Sequence, residues 1–90
     1  MEYRRFGNTI YLRLDPKEEI LEEIGKVAEK ENIRLAQVTG LGAINDFTAG
    51  VYNTVTKEYH SIQFQGAYEI VSLTGTVTRK DGDVYLHLHI

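Results

Sequence analysis

Gly66-Ala67-Tyr68-Glu69-Ile70-Val71-Ser72-Leu73-Thr74-Gly75 is rich in β-branched and aromatic residues and bounded by glycines, the pattern of a β-strand. A second run, Tyr85-Leu86-His87-Leu88-His89-Ile90, alternates strictly, with Leu86, Leu88 and Ile90 on one face and Tyr85, His87 and His89 on the other. Between them, Lys80-Asp81-Gly82-Asp83 contains the Asp-Gly pair favoured in tight type I′ hairpins. A two-residue turn places Thr74, Thr76 and Thr78 opposite His89, His87 and Tyr85. The same register stacks Leu73, Gly75 and Val77 against Ile90, Leu88 and Leu86. One face is therefore core; the other is polar, bears two histidines, and is the first place to look for function.

Ninety residues predict one domain over 1–90. A chain this short buries roughly 60–65% of its unfolded surface, so association would add needed stability. The absence of cysteine excludes disulfides and thiolate metal sites. No run of about 18 apolar residues exists to span a membrane. Met1-Glu2-Tyr3-Arg4-Arg5 has no hydrophobic signal segment, so a cytoplasmic protein is expected. The net charge is −3, and the adjacent basic pairs Arg4-Arg5 and Arg79-Lys80 make only a small cationic footprint. That balance disfavours nonspecific binding to duplex DNA.

Tyr3–Phe6 reads as a short strand closed by Gly7-Asn8, and Thr9–Leu14 alternates as a half-buried strand. Asp15-Pro16-Lys17-Glu18 predicts a helix start, with Asp15 as N-cap and Pro16 in the first turn. Ile20, Leu21, Ile24, Val27 and Ala28 form the apolar stripe of that helix, while Glu19, Glu22, Glu23, Lys26, Glu29 and Lys30 form a solvated face. Gly25 in its middle implies close packing against a strand. Asn32 is the expected C-terminal cap. Strands follow over 33–39, 47–53 and 59–65. The Gly40-Leu41-Gly42-Ala43 segment lacks the third glycine and capped helix of a phosphate cradle, so it reads as a bulge or bend. The order β-α-β-β-β-β gives an α+β fold: an antiparallel or mixed sheet with one amphipathic helix on a face. An apolar Ile90 at the end of a patterned strand predicts either an edge or interface there, or a continuing chain.

The Gly66–Gly75 stretch and Leu86-His87-Leu88-His89 resemble the signature strands of the PPC (plant and prokaryote conserved) domain. Leu12-Arg13-Leu14 before the helix and Thr39-Gly40-Leu41-Gly42-Ala43-Ile44 resemble it too, so the likeness covers nearly the whole chain. It implies a homotrimer of antiparallel sheets with a packed helix. Gly66, Tyr68, Glu69, Ser72 and Gly75 then belong to an interface or structural motif. Plant members of this family carry the domain beside AT-hooks in nuclear proteins, and prokaryotic members carry a provisional DNA-binding label. No Arg-Gly-Arg hook core is present here. The Gly-Gly-His segment and further strands that usually follow the His-Leu-His strand are also absent from the sequence.

His87 and His89 project to one strand face about 7 Å apart, close enough to converge on Zn²⁺, which needs three or four ligands. His60 or another subunit would have to complete such a site. Glu69, placed by parity with Val71 and Leu73 on the core face, would need a partner such as Arg13 or amides near Gly40. Ser72 shares the polar face. No nucleophilic triad, P-loop or carboxylate pair is legible, so no catalytic residue is assigned. The expectation is a small oligomeric DNA-linked, regulatory or protein-interaction module. The alternative is a zinc-binding protein or metal-dependent enzyme acting on a small ligand of unknown identity.

Overall fold

The computed structural model describes residues 1–90. In chain order the elements are β1 (Glu2–Phe6), β2 (Thr9–Arg13), α1 (Ile20–Lys30), β3 (Ala36–Asn53), β4 (Glu58–Lys80) and β5 (Asp83–His89). β1 and β2 form one sheet; β3, β4 and β5 form the other, with β4 central. This is the expected α+β architecture. The strands read as separate at 33–39 and 47–53 are one strand, β3, and the hairpin's second arm runs unbroken into the central strand as β4. The chain divides into two compact units. The first comprises Met1–Gln37 and Thr76–His87, the second Val38–Gly75 and Leu88–Ile90.

In the first unit, β1 and β2 pair antiparallel from Glu2↔Arg13 to Phe6↔Thr9. Gly7, at φ 61°, opens their turn, where a positive φ matches the twist of the strands. The helix begins later than Asp15 and Pro16 suggested. Lys17 turns the chain at φ 75°, and the Glu18 carboxylate accepts the Asp15 backbone N–H at 2.6 Å. Asp15 and Glu18 also hold the Met1 ammonium, at 2.9 and 2.8 Å. Their carboxylates are thus committed before the helix starts, and Glu19 becomes the N-cap, accepting the Glu22 N–H at 2.6 Å.

The other end follows the sequence reading. Asn32 adopts φ 51° and donates its N–H to the Glu29 carbonyl, while Ile33 donates to the Ala28 carbonyl. That pair of bonds is a Schellman closure, which Asn tolerates because it enters the left-handed region at low cost. Val27, Ala28 and Val77 are the buried apolar residues of this unit. Three further helix expectations are corrected. Leu21, placed on the apolar stripe, is 46% exposed. Glu23 is buried rather than solvated, its charge met by Lys26 Nζ at 3.0 Å. Gly25 is not close-packed, since a Cβ there would meet nothing within 4 Å.

Most of the second unit, Val38–Gly75, is a ribbon of β3 and β4 with a tight tip; Leu88–Ile90 completes the unit. The Asn53 side chain accepts N–H bonds from Val55 and Thr56, and Lys57, at φ 63°, donates its own to the Asn53 carbonyl. Phe47 stacks on Phe64 with centroids 5.1 Å apart, and Tyr68 meets both rings edge-on. Gly50 permits the Tyr59 ring to lie over the backbone; a Cβ would come within 2.6 Å of it. Inward positions do not keep one parity. On β3 they run Gly42, Ile44, then Phe47, Ala49; on β4 they run Phe64, Ile70, then Leu73, Gly75. Each switch needs one extra residue, the signature of a β-bulge.

Candidate functional site

β5 behaves as its alternation predicts up to His89, but Ile90, expected on the core face, lies beyond the strand and is 50% exposed. Val84, Leu86 and Leu88 are half-buried, whereas Tyr85, His87 and His89 are exposed. Asp81 and Gly82, both at positive φ, make the two-residue turn that sets this parity. The histidines do not form a metal centre by themselves. No group of three or more His, Cys, Asp or Glu side chains comes together to hold an ion. His60 instead lies 3.7 Å from Glu58, both exposed. Two imidazoles fall short of the three protein ligands of even an open zinc site, so the chain's own residues do not fit a zinc ion.

The Gly66–Gly75 stretch lies within β4. Gly66 adopts φ 141°, a conformation that favours glycine, and the Tyr68 ring covers it. Gly75 is half-buried between Leu73 and Val77, and Ser72 is exposed. Glu69 is corrected: it is exposed, as is Val71 at 95%. Counting back from Leu73 by twos buries both, but the half-buried positions change parity between Ile70 and Leu73, the pattern a β-bulge produces, and Ile70 is half-buried in their place. The partner suggested for Glu69 is engaged elsewhere, since Arg13 binds Asp15 at 2.6 Å and Glu2 at 3.3 Å. Those contacts, the Asp15 hydrogen bond foremost, raise the Arg13 pKa.

The two basic pairs are largely structural. Arg79 is 17% exposed at its side chain. Its guanidinium donates to the Ile33 carbonyl at 3.0 Å, the Ala28 carbonyl at 3.3 Å, the Gly82 carbonyl at 3.3 Å and Glu29 Oε1 at 3.1 Å. It therefore ties the helix C-terminus to the β4–β5 turn, a role that nothing in the local sequence signals. Lys80 lies over the Tyr85 ring. Arg5 pairs with Glu31, whose other oxygen accepts from the Tyr3 hydroxyl; desolvation, with help from that carboxylate, raises the Tyr3 pKa. Arg4 remains outward, 3.9 Å from Glu2.

The second unit presents a different surface. No residue from Val38 to Gly75 is fully buried, and only Asp46, Lys57, Glu58 and Glu69 are charged. Leu41 is 89% exposed, and Val51, Val55, Tyr59, Ile62 and Val71 are exposed with it.

Comparison with known proteins places this geometry. A crystal structure of a provisionally named DNA-binding protein from Bacteroides thetaiotaomicron superposes with a TM-score of 0.94 at 31% identity, covering 99% of this chain and 62% of that one. A metal-containing protein from Archaeoglobus fulgidus superposes at 0.82 and 31% identity, over 86% of this chain and 55% of that one. A plant- and prokaryote-conserved protein from Pyrococcus horikoshii does so at 0.80 and 35%, over 86% and 54%. This chain thus spans little more than half the length of these structures. A comparison with curated proteins gave no match. The family pattern of the Plants and Prokaryotes Conserved (PCC) domain covers residues 1–90 from end to end, and the chain belongs to that family.

Proposed function

We propose that this chain is a self-associating interaction module, assembled as a homotrimer, that serves a DNA-linked regulatory role. The β3–β4 ribbon carries the reading. A segment that fully buries no residue and leaves Leu41, Val51, Val55, Tyr59, Ile62 and Val71 exposed offers an apolar surface of the kind that marks a protein interface. A two-stranded ribbon is at best marginally stable alone in water, so covering these exposed apolar side chains would stabilise the fold. Gly66, Tyr68, Glu69, Ser72 and Gly75 lie along the same ribbon. Family resemblance supports the trimer, and the naming of the Bacteroides relative supports the DNA link.

Light scattering on the purified chain tests it. The expected mass is three times the 10.3 kDa of the chain, with Leu41→Glu or Val71→Glu lowering it. A monodisperse, folded monomer would refute self-association.

A second reading takes support from the metal-containing Archaeoglobus relative and from His87 and His89 on one exposed strand face. A zinc site here would need its remaining ligands from outside this chain, so no metal-dependent chemistry is derived. Elemental analysis of the same sample decides: zinc retained through dialysis and lost in His87→Ala favours this reading, and its absence after equilibration with the ion counts against it.

A further inference from the structure

We infer that the outward face of the β1–β2 hairpin binds single-stranded nucleic acid, with bases stacking on Phe6 and Tyr11 and phosphates met by Arg4 and Arg13. The inference rests on the DNA-linked reading above and gives it a location that neither the histidine strand nor the apolar ribbon supplies.

The register fixes which side chains share the face. Arg4 lies opposite Tyr11, Phe6 opposite Thr9 and Glu2 opposite Arg13, so alternation sends these six side chains to one side. The other side faces the protein: Tyr3 bonds to Glu31, and Ile10 and Leu12 are half-buried. On the outward side Phe6 is 62% and Tyr11 68% exposed. Their rings meet edge-on at 6.0 Å, an arrangement that leaves ring faces available. Arg4, Phe6, Tyr11 and Arg13, with Glu2 and the backing Tyr3 and Leu12, border a shallow concavity of about 370 Å³.

Charge selects the occupant. The outward face carries Arg4 and Arg13 against Glu2, in a chain whose net charge is −3; Arg5 turns inward to Glu31, and Asp15 also holds Arg13, at 2.6 Å. Exposed aromatics beside arginines are the elements of a single-strand platform, where every base offers a π-face. A duplex hides those faces and is held mainly through many phosphate contacts, which two outward arginines cannot supply. Glu2, within 3.9 Å of Arg4 and 3.3 Å of Arg13, competes with phosphate and acts as a brake.

Fluorescence anisotropy with a labelled oligothymidylate of about 12 nucleotides, and a duplex of equal length, tests the inference. The single strand should bind more tightly than the duplex. Two phosphate contacts predict a slope of log K against log salt of about −1.4, falling to about −0.7 in Arg4→Ala. Tyr11→Ala should weaken binding by about 5- to 140-fold. Glu2→Gln should tighten it, a gain that misfolding could not mimic. Binding by the native chain that Tyr11→Ala, Arg4→Ala and Glu2→Gln leave unchanged would overturn this site while sparing the DNA-linked reading. No binding of either probe would overturn both. Tighter binding of the duplex, or equal competition by polyglutamate, would overturn the choice of occupant.

Discussion

Replacing Arg79 tests how the helix-bearing unit is held together. Its guanidinium donates to three backbone carbonyls, those of Ala28, Ile33 and Gly82, and to the Glu29 carboxylate, while its side chain is only 17% exposed. A hydrogen bond from a charged donor contributes about 1.5–3 kcal/mol, and leaving a buried acceptor unmet costs about 1–3 kcal/mol. The Ala28 carbonyl still accepts from Ile33, and the Glu29 arm is exposed and adds little. The Ile33 bond, the shortest of the four, and the partly buried Ala28 bond then dominate, which puts Arg79→Ala at about 3 kcal/mol. A domain of this size has on the order of 5–13 kcal/mol in total, so the variant should fold but lose a large share of its margin. Arg79→Lys should recover less than half, because an ammonium cannot span the helix end and the turn as a planar fork does. Lys80→Ala removes an exposed cation–π contact of about 0.5–1 kcal/mol and serves as the control. Urea unfolding followed by circular dichroism, at one protein concentration, should shift the Arg79→Ala midpoint by about 1 M or more. A loss no greater than that of Lys80→Ala would refute the claim that this guanidinium joins α1 to the β4–β5 turn.

Gly25→Ala should stabilise the chain by about 0.5–1 kcal/mol, since the added methyl meets open space and glycine is a poor helix former; thermal melting should show a rise of several degrees, and a fall would mean that something packs there. Gly50→Ala should do the opposite, forcing Tyr59 off the ribbon and reducing amide protection along β3 and β4 in hydrogen exchange. The Met1–Asp15–Glu18 cluster predicts a two-sided pH dependence. The Asp15 and Glu18 pKa values are lowered, chiefly by the Met1 ammonium, so their contribution is present above the usual carboxylate range and is lost as pH falls through the depressed values. The Met1 amine is raised above 8.0, chiefly by its hydrogen bond to Glu18, so its contribution is full below pH 8 and is lost as pH rises through the raised value. Urea midpoints should therefore plateau between these limits, and Asp15→Asn should flatten the acidic side.

Much of the fold was legible because local signals agreed with tertiary structure. Asp81-Gly82 fixed a turn, the turn fixed the parity of β5, and the strict alternation from Val84 to Leu88 survived into the structure. Asn32 closed the helix as its chemistry suggests. The failures arise where a side-chain contact or a change of register outweighs the local pattern. Asp15 reads as an N-cap, but its carboxylate is taken by the Met1 ammonium and Arg13. Glu23 reads as solvated, but a nearby lysine lets the carboxylate be buried. Period-2 counting puts Glu69 inside, but the half-buried positions of β4 change parity between Ile70 and Leu73. Arg79 reads as half of a basic pair, and only the fold shows that helix carbonyls claim it. The histidine strand was found by pattern alone, whereas the hairpin face with Phe6 and Tyr11 had no motif to announce it.

The distribution of charge joins the proposed roles. Nearly all charged residues lie outside the ribbon, which retains four and cannot gain solubility from its own surface. Of the five arginines, Arg79 and Arg5 are tied into the structure and Arg13 is shared with two carboxylates. A single chain therefore offers little to a phosphate backbone, and its contact with nucleic acid would be weak. The proposed assembly would change that balance, because every copy brought in through the ribbon would add one hairpin face. Linked sites that engage together exceed either affinity by about 10²- to 10⁴-fold without any new contact. If the apolar ribbon self-associates as proposed, the protein can use a minimal cationic face, and keep an acidic net charge, where an isolated domain would need a broad basic surface.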